Sequence, residues 1–408
     1  MNNPLPGSVE FWAQNKPDAI AIIEGERSLT WKQWNDRANC LAHAMHQRGI
    51  EAEDIVVVRT QIRLEWAIIR SALGKLGCRL LALNWRLTPS ETRYILSNSN
   101  AKAIFCDDPD PDSLKPSWQH LHLKFAVSLD SEAAGFVSYQ TMLEEESKQA
   151  LFAAGDPPLI IFTSGTTGLP KGVVMNQPRP GSQTQMREYF ISMAKSRPQV
   201  SGDIVLVTMP MHHGAGPALV SSGVRQGNTL IMMRRFDAEG ALALIEKYRI
   251  TFWNGVPTMF KRMACLPQVT LERFDVSSIR SLNVGAAPVT DDLKEWIINY
   301  FGNCLHEGYG TTETGMITAL TPEMMLKKPG SSGLPYAHVK FSIRDDQQQQ
   351  LPDGELGEIW VYTPMGISQY LTEALDHDTL DKDGFFALAI SVMLTMKVIY
   401  ISPIAAKI

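Results

Sequence analysis

Within ten residues, Thr163-Ser164-Gly165-Thr166-Thr167-Gly168-Leu169-Pro170-Lys171-Gly172, the chain gathers four hydroxyl side chains, three glycines and a lysine. Hydroxyls donate hydrogen bonds, glycines let backbone N–H groups approach a ligand closely, and the ammonium adds positive charge, a combination that suits a polyphosphate. The loop is not a Walker A motif, which needs G-K-[S/T] entering a helix. Here Pro170 precedes Lys171 and the apolar Gly172-Val173-Val174-Met175 follows. The loop is therefore expected to join two strands, with hydroxyls and amides holding the phosphates in place of a helix terminus. The bland alternative is a flexible Ser/Gly/Thr turn.

Such a loop needs rigid elements on both sides. Residues 159–162 form an apolar run ahead of it, and similar strand candidates stand at 54–60, 80–83, 103–106, 204–208, 229–232 and 281–284, several of them rich in the β-branched residues of buried strands. Helix signals alternate with them. Thr30-Trp31-Lys32-Gln33 has the form of a capping box, in which the Thr hydroxyl and Gln amide satisfy free N–H groups, and Thr88-Pro89-Ser90-Glu91 opens a second helix with proline at its tolerated first position. Residues 66–76 and 238–247 also read as helices, and the Asp/Pro/Ser-rich 107–118 as a surface loop. The alternation implies an α/β fold with a largely parallel sheet covered by helices. Beyond Gly330 the pattern changes to short strands at 339–344 and 358–362 separated by turns, the mark of a small β-rich subdomain.

Composition bounds the function classes. The 408 residues are 44% hydrophobic and 20% charged, which excludes collagenous, coiled-coil and mainly disordered chains. A net charge of −5 leaves no polybasic footprint, so no nucleic-acid partner is expected. The cysteines Cys40, Cys78, Cys106, Cys265 and Cys304 are scattered without a C-x-x-C pair, and the start of the chain has neither a basic nor an apolar leader region, so a cytoplasmic setting is expected. Peripheral association with a membrane stays open.

The phosphate loop resembles the signature of the adenylate-forming superfamily, which includes acyl-CoA synthetases, luciferases and the adenylation domains of peptide synthetases. Further stretches fall in the family's order: Asn84-Trp85-Arg86-Leu87 with Tyr94-Ile95-Leu96, then Pro210-Met211-His212-His213, Gly285-Ala286-Ala287-Pro288 and Tyr309-Gly310-Thr311-Thr312-Glu313. The resemblance extends over residues 8–386. It implies a large N-terminal adenylating domain of layered α/β subdomains, at 1–158 and 159–330, with the small β-rich subdomain at 331–386. It also implies ATP-dependent activation of a carboxylic acid, most readily a medium or long fatty acid, and transfer to CoA. Thr163, Ser164, Thr166, Thr167 and Lys171, with Gly165 and Gly168, would hold the β- and γ-phosphates. Gly285, Ala286, Ala287 and Pro288 would meet the adenine, as would Tyr309 with Gly310 and Thr311. Thr312 would hold the α-phosphate and Glu313 a Mg²⁺. One carboxylate is enough there, because a hard cation keeps ATP oxygens and waters as its other ligands. His213 would gate the acyl tunnel, whereas His212 has no assigned role. Residues 253–258 resemble a segment lining the acyl pocket, but their apolar side chains could equally be core. No F-D-x-S stretch lies near His213, which tilts the reading away from amino-acid substrates. Carrier-protein acylation and a nucleotide- or acyl-binding pseudoenzyme remain as alternatives.

The resemblance stops after Gly384-Phe385-Phe386, where the family continues with R-T-G-D and a hinge into a mobile C-terminal domain. Restoring one base before codon 387 lets permitted codons read Arg-Thr-Gly-Asp and, further on, Asp-Arg-Ser-Lys-Asp. Residues 387–408 are thus expected to be an out-of-frame tail, with the mobile domain and its lysine absent and activity lowered. Reading the gene at codon 387 tests this, since bases incompatible with the restored frame would exclude it. The competing reading, a membrane anchor over 385–401, contains Lys397. Its uninterrupted apolar stretch falls short of the roughly 20 residues a spanning helix needs, so no integral span is expected.

Overall fold

The structure, a computed structural model, describes residues 3–144, 147–153, 155–163, 170–175, 182–327, 330–352, 354–367, 369–372, 375, 378–395 and 398–401, with side chains through 388. The chain forms two compact units, Met1–Met175 with Val200–Phe236, and Asn176–Gln199 with Asp237–Ile408.

The first unit is built on a seven-stranded sheet in the spatial order Val137–Ser138, Phe125–Ser128, Ala103–Cys106, Ile55–Arg59, Arg79–Ala82, Leu159–Thr163, Lys171–Met175. Every neighbouring pair is parallel except the last, a hairpin. The central runs are apolar on both faces, Val56, Val57 and Val58 being fully buried, as a sheet covered by helices requires. The expected capping boxes are formed: Thr30 accepts from Gln33 N and the Gln33 side chain accepts from Thr30 N, opening helix Trp31–Gln47, and Thr88 and Glu91 do the same for Pro89–Ser99. Trp31 and Trp34 stack with ring centroids 5.4 Å apart in the core. A second group of strands in this unit, Arg27–Thr30, Ile20–Glu24, Thr229–Met232 and Ile204–Val207, pairs in that order. Segment 107–118 departs from the expected surface loop. Pro111–Ser117 is a 3₁₀-helix whose Pro111, Leu114 and Ser117 are buried, because three residues per turn align every third side chain on one edge.

The second unit carries the parallel strands Phe252–Gly255, Ser281–Gly285 and Leu305–Thr311, extended antiparallel by Gly315–Leu320 and Leu334–Pro335. Helices Gln183–Ser196, Ala238–Tyr248, Pro257–Ala264 and Asp291–Phe301 belong to the same unit. Trp253 is fully buried against Phe260, centroids 4.5 Å apart, and lies near Phe301. This aromatic therefore belongs to the core and does not face an acyl pocket. A four-stranded antiparallel sheet follows, Lys340–Arg344, Leu356–Tyr362, Phe386–Thr395 and Val398–Ile401. Residues 387–395 and 398–401 of the unusual tail thus have strand backbone, whereas 396, 397 and 402–408 lie outside the described residues. Ile343, Ile359 and Val361 of this sheet share a core with Tyr189, Ile317 and Tyr336. Among the described residues no helix is long and apolar enough to cross a membrane.

Candidate active site

In the first unit, Thr163 and Lys171 are the last paired residues of the hairpin and stand directly opposite each other. The hairpin is anchored from below, with Ile161 and Val173 buried in the sheet. The first hydroxyl and the lysine of the ten-residue motif therefore face each other at the ends of two paired strands. Ser164, Gly165, Thr166, Thr167 and Gly168 lie outside the described residues.

The histidine stretch follows strand Ile204–Val207 and leads into helix Ala215–Gln226. A Cβ on Gly216 would stand 2.4 Å from the Pro210 carbonyl oxygen and 2.8 Å from that of Met209. The helix start can lie this close to the 209–213 turn only because residue 216 has no side chain. A Cβ on Gly214 would meet the Met175 side chain at 3.0 Å, which places the histidine turn against the base of the Leu159–Thr163/Lys171–Met175 hairpin. Gly216→Ala is expected to lower stability by about 1–3 kcal/mol, because a carbonyl backbone cannot rotate aside as a flexible side chain would; a denaturant midpoint equal to that of the parent would show that the turn gives way freely.

His212 and His213 have ring centroids 4.6 Å apart. Burial, the neighbouring His213 and Arg86 depress the pKa of His212 to about 3. Desolvation also lowers His213, whose side chain is exposed. Both rings are therefore biased toward the neutral form. The Nδ1 of His212 is buried without a hydrogen-bond partner among the described residues. Sequence reasoning assigned no role to His212, yet it is the more deeply enclosed of the pair.

Around the tips of the first unit's strands lies a charge network that sequence reasoning missed. Arg59 donates to the carbonyls of Trp85 (2.6 Å) and Leu87 (3.1 Å) and pairs with Asp108. It thereby fixes the loop on which the Arg86 guanidinium sits 4.2 Å from the Trp85 ring centroid. Arg63, almost fully buried, pairs with Glu65 at 2.7 Å and Asp130 at 2.7 Å, and reaches Asp107 at 3.5 Å; Arg234 joins the last two acids. The available signal was positional: Arg59, Asp107 and Asp108 stand at or just after the carboxyl ends of parallel strands, where α/β folds place ligand sites.

In the second unit, strands Ser281–Gly285 and Leu305–Thr311 set Gly285 opposite Gly308. A Cβ on Gly285 would lie 2.7 Å from the Gly308 carbonyl oxygen. The 285–288 turn leaves this contact with Ala286 at φ +64°, a left-handed conformation uncommon for a residue with a Cβ. The ladder between Leu305–Thr311 and Gly315–Leu320 shifts register between Tyr309 and Gly310, a bulge of the kind that redirects side chains. Tyr309 is half-buried, its hydroxyl has no partner among the described residues, and burial pushes its pKa up to about 12. Thr312 and Glu313 fall in the turn of this hairpin, both half-buried. The turn is held by its backbone: Ile367 N donates to the Glu313 carbonyl at 2.9 Å, Thr363 Oγ1 to the Thr314 carbonyl at 2.6 Å, and Thr314 N to Thr311 Oγ1 at 3.2 Å. Gly285, Ala286, Ala287 and Pro288 thus leave the strand adjacent to the one carrying Tyr309, Gly310 and Thr311. Among the described residues no three His, Cys, Asp or Glu side chains form a cation cage. The donor set at the turn is a single carboxylate, which fits a cation that arrives with ATP.

A family model for AMP-binding enzymes matches residues 9–371. The fatty acid–acyl-carrier-protein ligase ScoC of Streptomyces coeruleorubidus is 28% identical over 372 residues, 90% of this chain and 70% of that protein. The 2-succinylbenzoate–CoA ligase of Bacillus licheniformis is 30% identical over 391 residues, 93% of this chain and 75% of that protein. Among solved structures, the inhibitor-bound N-terminal domain of FACL13 from Mycobacterium tuberculosis matches with a TM-score of 0.81 at 25% identity, covering 97% of this chain and 98% of that one.

Proposed function

The chain belongs to the AMP-binding enzyme family, and from that premise we propose that it activates a carboxylic acid with ATP and passes the acyl group to a thiol. Its fold is that of the N-terminal domain of adenylate-forming enzymes. A carboxylate is a poor electrophile. In the proposed first step its oxygen attacks the α-phosphorus of ATP, the bond to pyrophosphate breaks, and an acyl-adenylate forms. In the second step a thiolate attacks the acyl carbon and AMP leaves.

Steps of this kind depend on positioning and charge neutralisation more than on covalent help from the protein. Thr163, Ser164, Thr166, Thr167 and Lys171, with the backbone at Gly165 and Gly168, would hold the β- and γ-phosphates. Gly285, Ala286, Ala287 and Pro288 would border the adenine, with the Tyr309 ring as its flat partner and Gly310 and Thr311 beside it. Thr312 would hold the α-phosphate. Mg²⁺ bound through Glu313 would supply charge neutralisation on the phosphates. His213 would flank the acyl chain, and a neutral imidazole there avoids setting a charge against an apolar substrate. The observation that most supports this reading is the direct opposition of Thr163 and Lys171 across the hairpin.

For the acid, a medium or long fatty acid is the favoured substrate, with CoA as the thiol. The fatty-acid ligase among the relatives supports the acid and also raises a second reading, transfer to an acyl-carrier protein. The test incubates the protein with ATP, Mg²⁺ and a panel of aliphatic and aromatic acids while pyrophosphate is followed. Release dependent on fatty acids is expected, and adding CoA or a carrier protein then shows which thiol captures the acyl group. ATP binding without release under any acid would overturn the catalytic reading in favour of a pseudoenzyme.

A further inference from the structure

Strands Ser281–Gly285 and Leu305–Thr311 place two cross-strand pairs in sequence, Asn283 with His306 and Gly285 with Gly308. Residues two apart on a strand share a face, so these four positions form one patch. Helix Gln183–Ser196 ends over that patch at Arg197, where Pro198 prevents further helical turns. The Arg197 Nε donates to Asn283 Oδ1 at 2.9 Å, and the Asn283 amide is itself oriented by donating to Ser281 Oγ at 3.2 Å. A Cβ on Gly308 would stand 3.3 Å from the Arg197 guanidinium carbon and Nη2. The guanidinium therefore packs closely over the strand at Gly308, where a Cβ would crowd it and would also meet the Met316 methyl at 2.6 Å.

The Arg197 charge acts on His306, Tyr189 and Tyr336. Burial, together with the charges of Arg197 and Arg280, lowers the pKa of His306, against an opposing hydrogen bond to the Ser196 backbone. Burial holds the phenols of Tyr189 and Tyr336 neutral, and Arg197 only partly offsets that effect. Both strands lead directly from the patch into the nucleotide-contacting segments of the proposed function, Gly285 into the 285–288 turn and Gly308 into Tyr309–Glu313.

We propose that Arg197 is a positioning residue for the nucleotide: its guanidinium, tied to Asn283 and seated under Gly308, sets the spacing of the two segments that receive ATP and adds positive potential behind them. This rests on the nucleotide reading above but not on turnover. A bidentate-capable, always-charged side chain suits the task, because it can satisfy a fixed acceptor and still present its plane to the backbone.

The test measures ATP affinity by calorimetry without acid, and KM for ATP and for the acid in pyrophosphate release. Arg197→Met is expected to weaken ATP by about tenfold in both measurements, with the acid KM nearly unchanged, as loss of a charge-assisted contact implies. Arg197→Lys, which keeps the charge without the fork, should fall between parent and Met, and so should Asn283→Ala, which keeps the fork without its acceptor. Unchanged ATP affinity in Arg197→Met overturns the proposal. So does a parallel loss of ATP and acid KM accompanied by a lower denaturant midpoint, the signature of a merely structural residue. If the parent binds ATP without releasing pyrophosphate, the catalytic reading fails while the affinity comparison still decides the role of Arg197. A parent that binds no ATP overturns both.

Discussion

Glu313→Gln is expected to slow acid-dependent pyrophosphate release by ~10²-fold or more, the usual consequence of removing a preorganised electrostatic group from a reaction that builds charge. The substitution keeps shape and removes only the negative charge. Because Ile367 N bonds to the backbone carbonyl of residue 313 and not to its side chain, that restraint on the turn survives in the variant. The loss should appear as a higher Mg²⁺ requirement with an unchanged denaturant midpoint. Pyrophosphate release at the parental rate across a Mg²⁺ titration would remove Glu313 from the chemistry. A rate loss that tracks a fall in stability would return it to a structural role.

Arg63→Met carries the largest expected effect on stability. The Arg63 side chain is 2% exposed and meets three carboxylates, Glu65, Asp107 and Asp130. Removing the cation leaves the buried Glu65 and Asp107 with only the more exposed Arg27 and Arg234 as partners, a change expected to approach the roughly 3–5 kcal/mol that breaking a buried ion pair costs. Arg63→Lys should rescue little, since one ammonium cannot reproduce the guanidinium's simultaneous bonds to Glu65 and to both oxygens of Asp130.

The pH dependence has a definite sign. The Arg63 bond holds the pKa of Asp130 down to about 2 against its partial burial, and Arg234 adds to this. For Glu65, burial pushes upward, but Arg63 and Arg27 outweigh it and leave the group below the usual carboxylate range. Carboxylates depressed in the folded state contribute stability above their unfolded pKa, about 4, and lose it as pH falls toward the folded value. His212 acts in the same direction: with a folded pKa near 3, it takes up a proton more readily when unfolded, so acid below its usual 6.5 favours unfolding. The gap in denaturant midpoint between parent and Arg63→Met should therefore be wide at pH 7 and narrow from about pH 5 downward. A gap independent of pH would mean that the carboxylates near Arg63 are not held by it.

Much of the local organisation was legible in the residues themselves. The capping boxes at Thr30 and Thr88, the β-branched strand at 55–59 and the two strands flanking the Thr163–Gly172 motif follow from interactions between residues close in sequence, so their patterns can be read along the chain. The tertiary decisions went otherwise. Segment 107–118 looked like solvent-exposed polar loop until packing buried every third residue. Trp253 read as pocket lining or core with equal ease, and only its contact with Phe260 and Phe301 decided for core. Arg63, Arg197 and His212 carry little local signal, because apart from Glu65 and His213 their meaning lies in partners 44 to more than 100 positions away or in the depth at which a turn is packed.

The family-bearing motifs, the ten-residue Thr163–Gly172 stretch and the Tyr309–Glu313 run, were legible from sequence alone, since they consist of residue types at short fixed spacing. Which side chains stay neutral, which cations are buried and which glycines allow two strands and a guanidinium to touch were decided by the tertiary structure, because desolvation and close packing are properties of surroundings that a linear pattern does not contain.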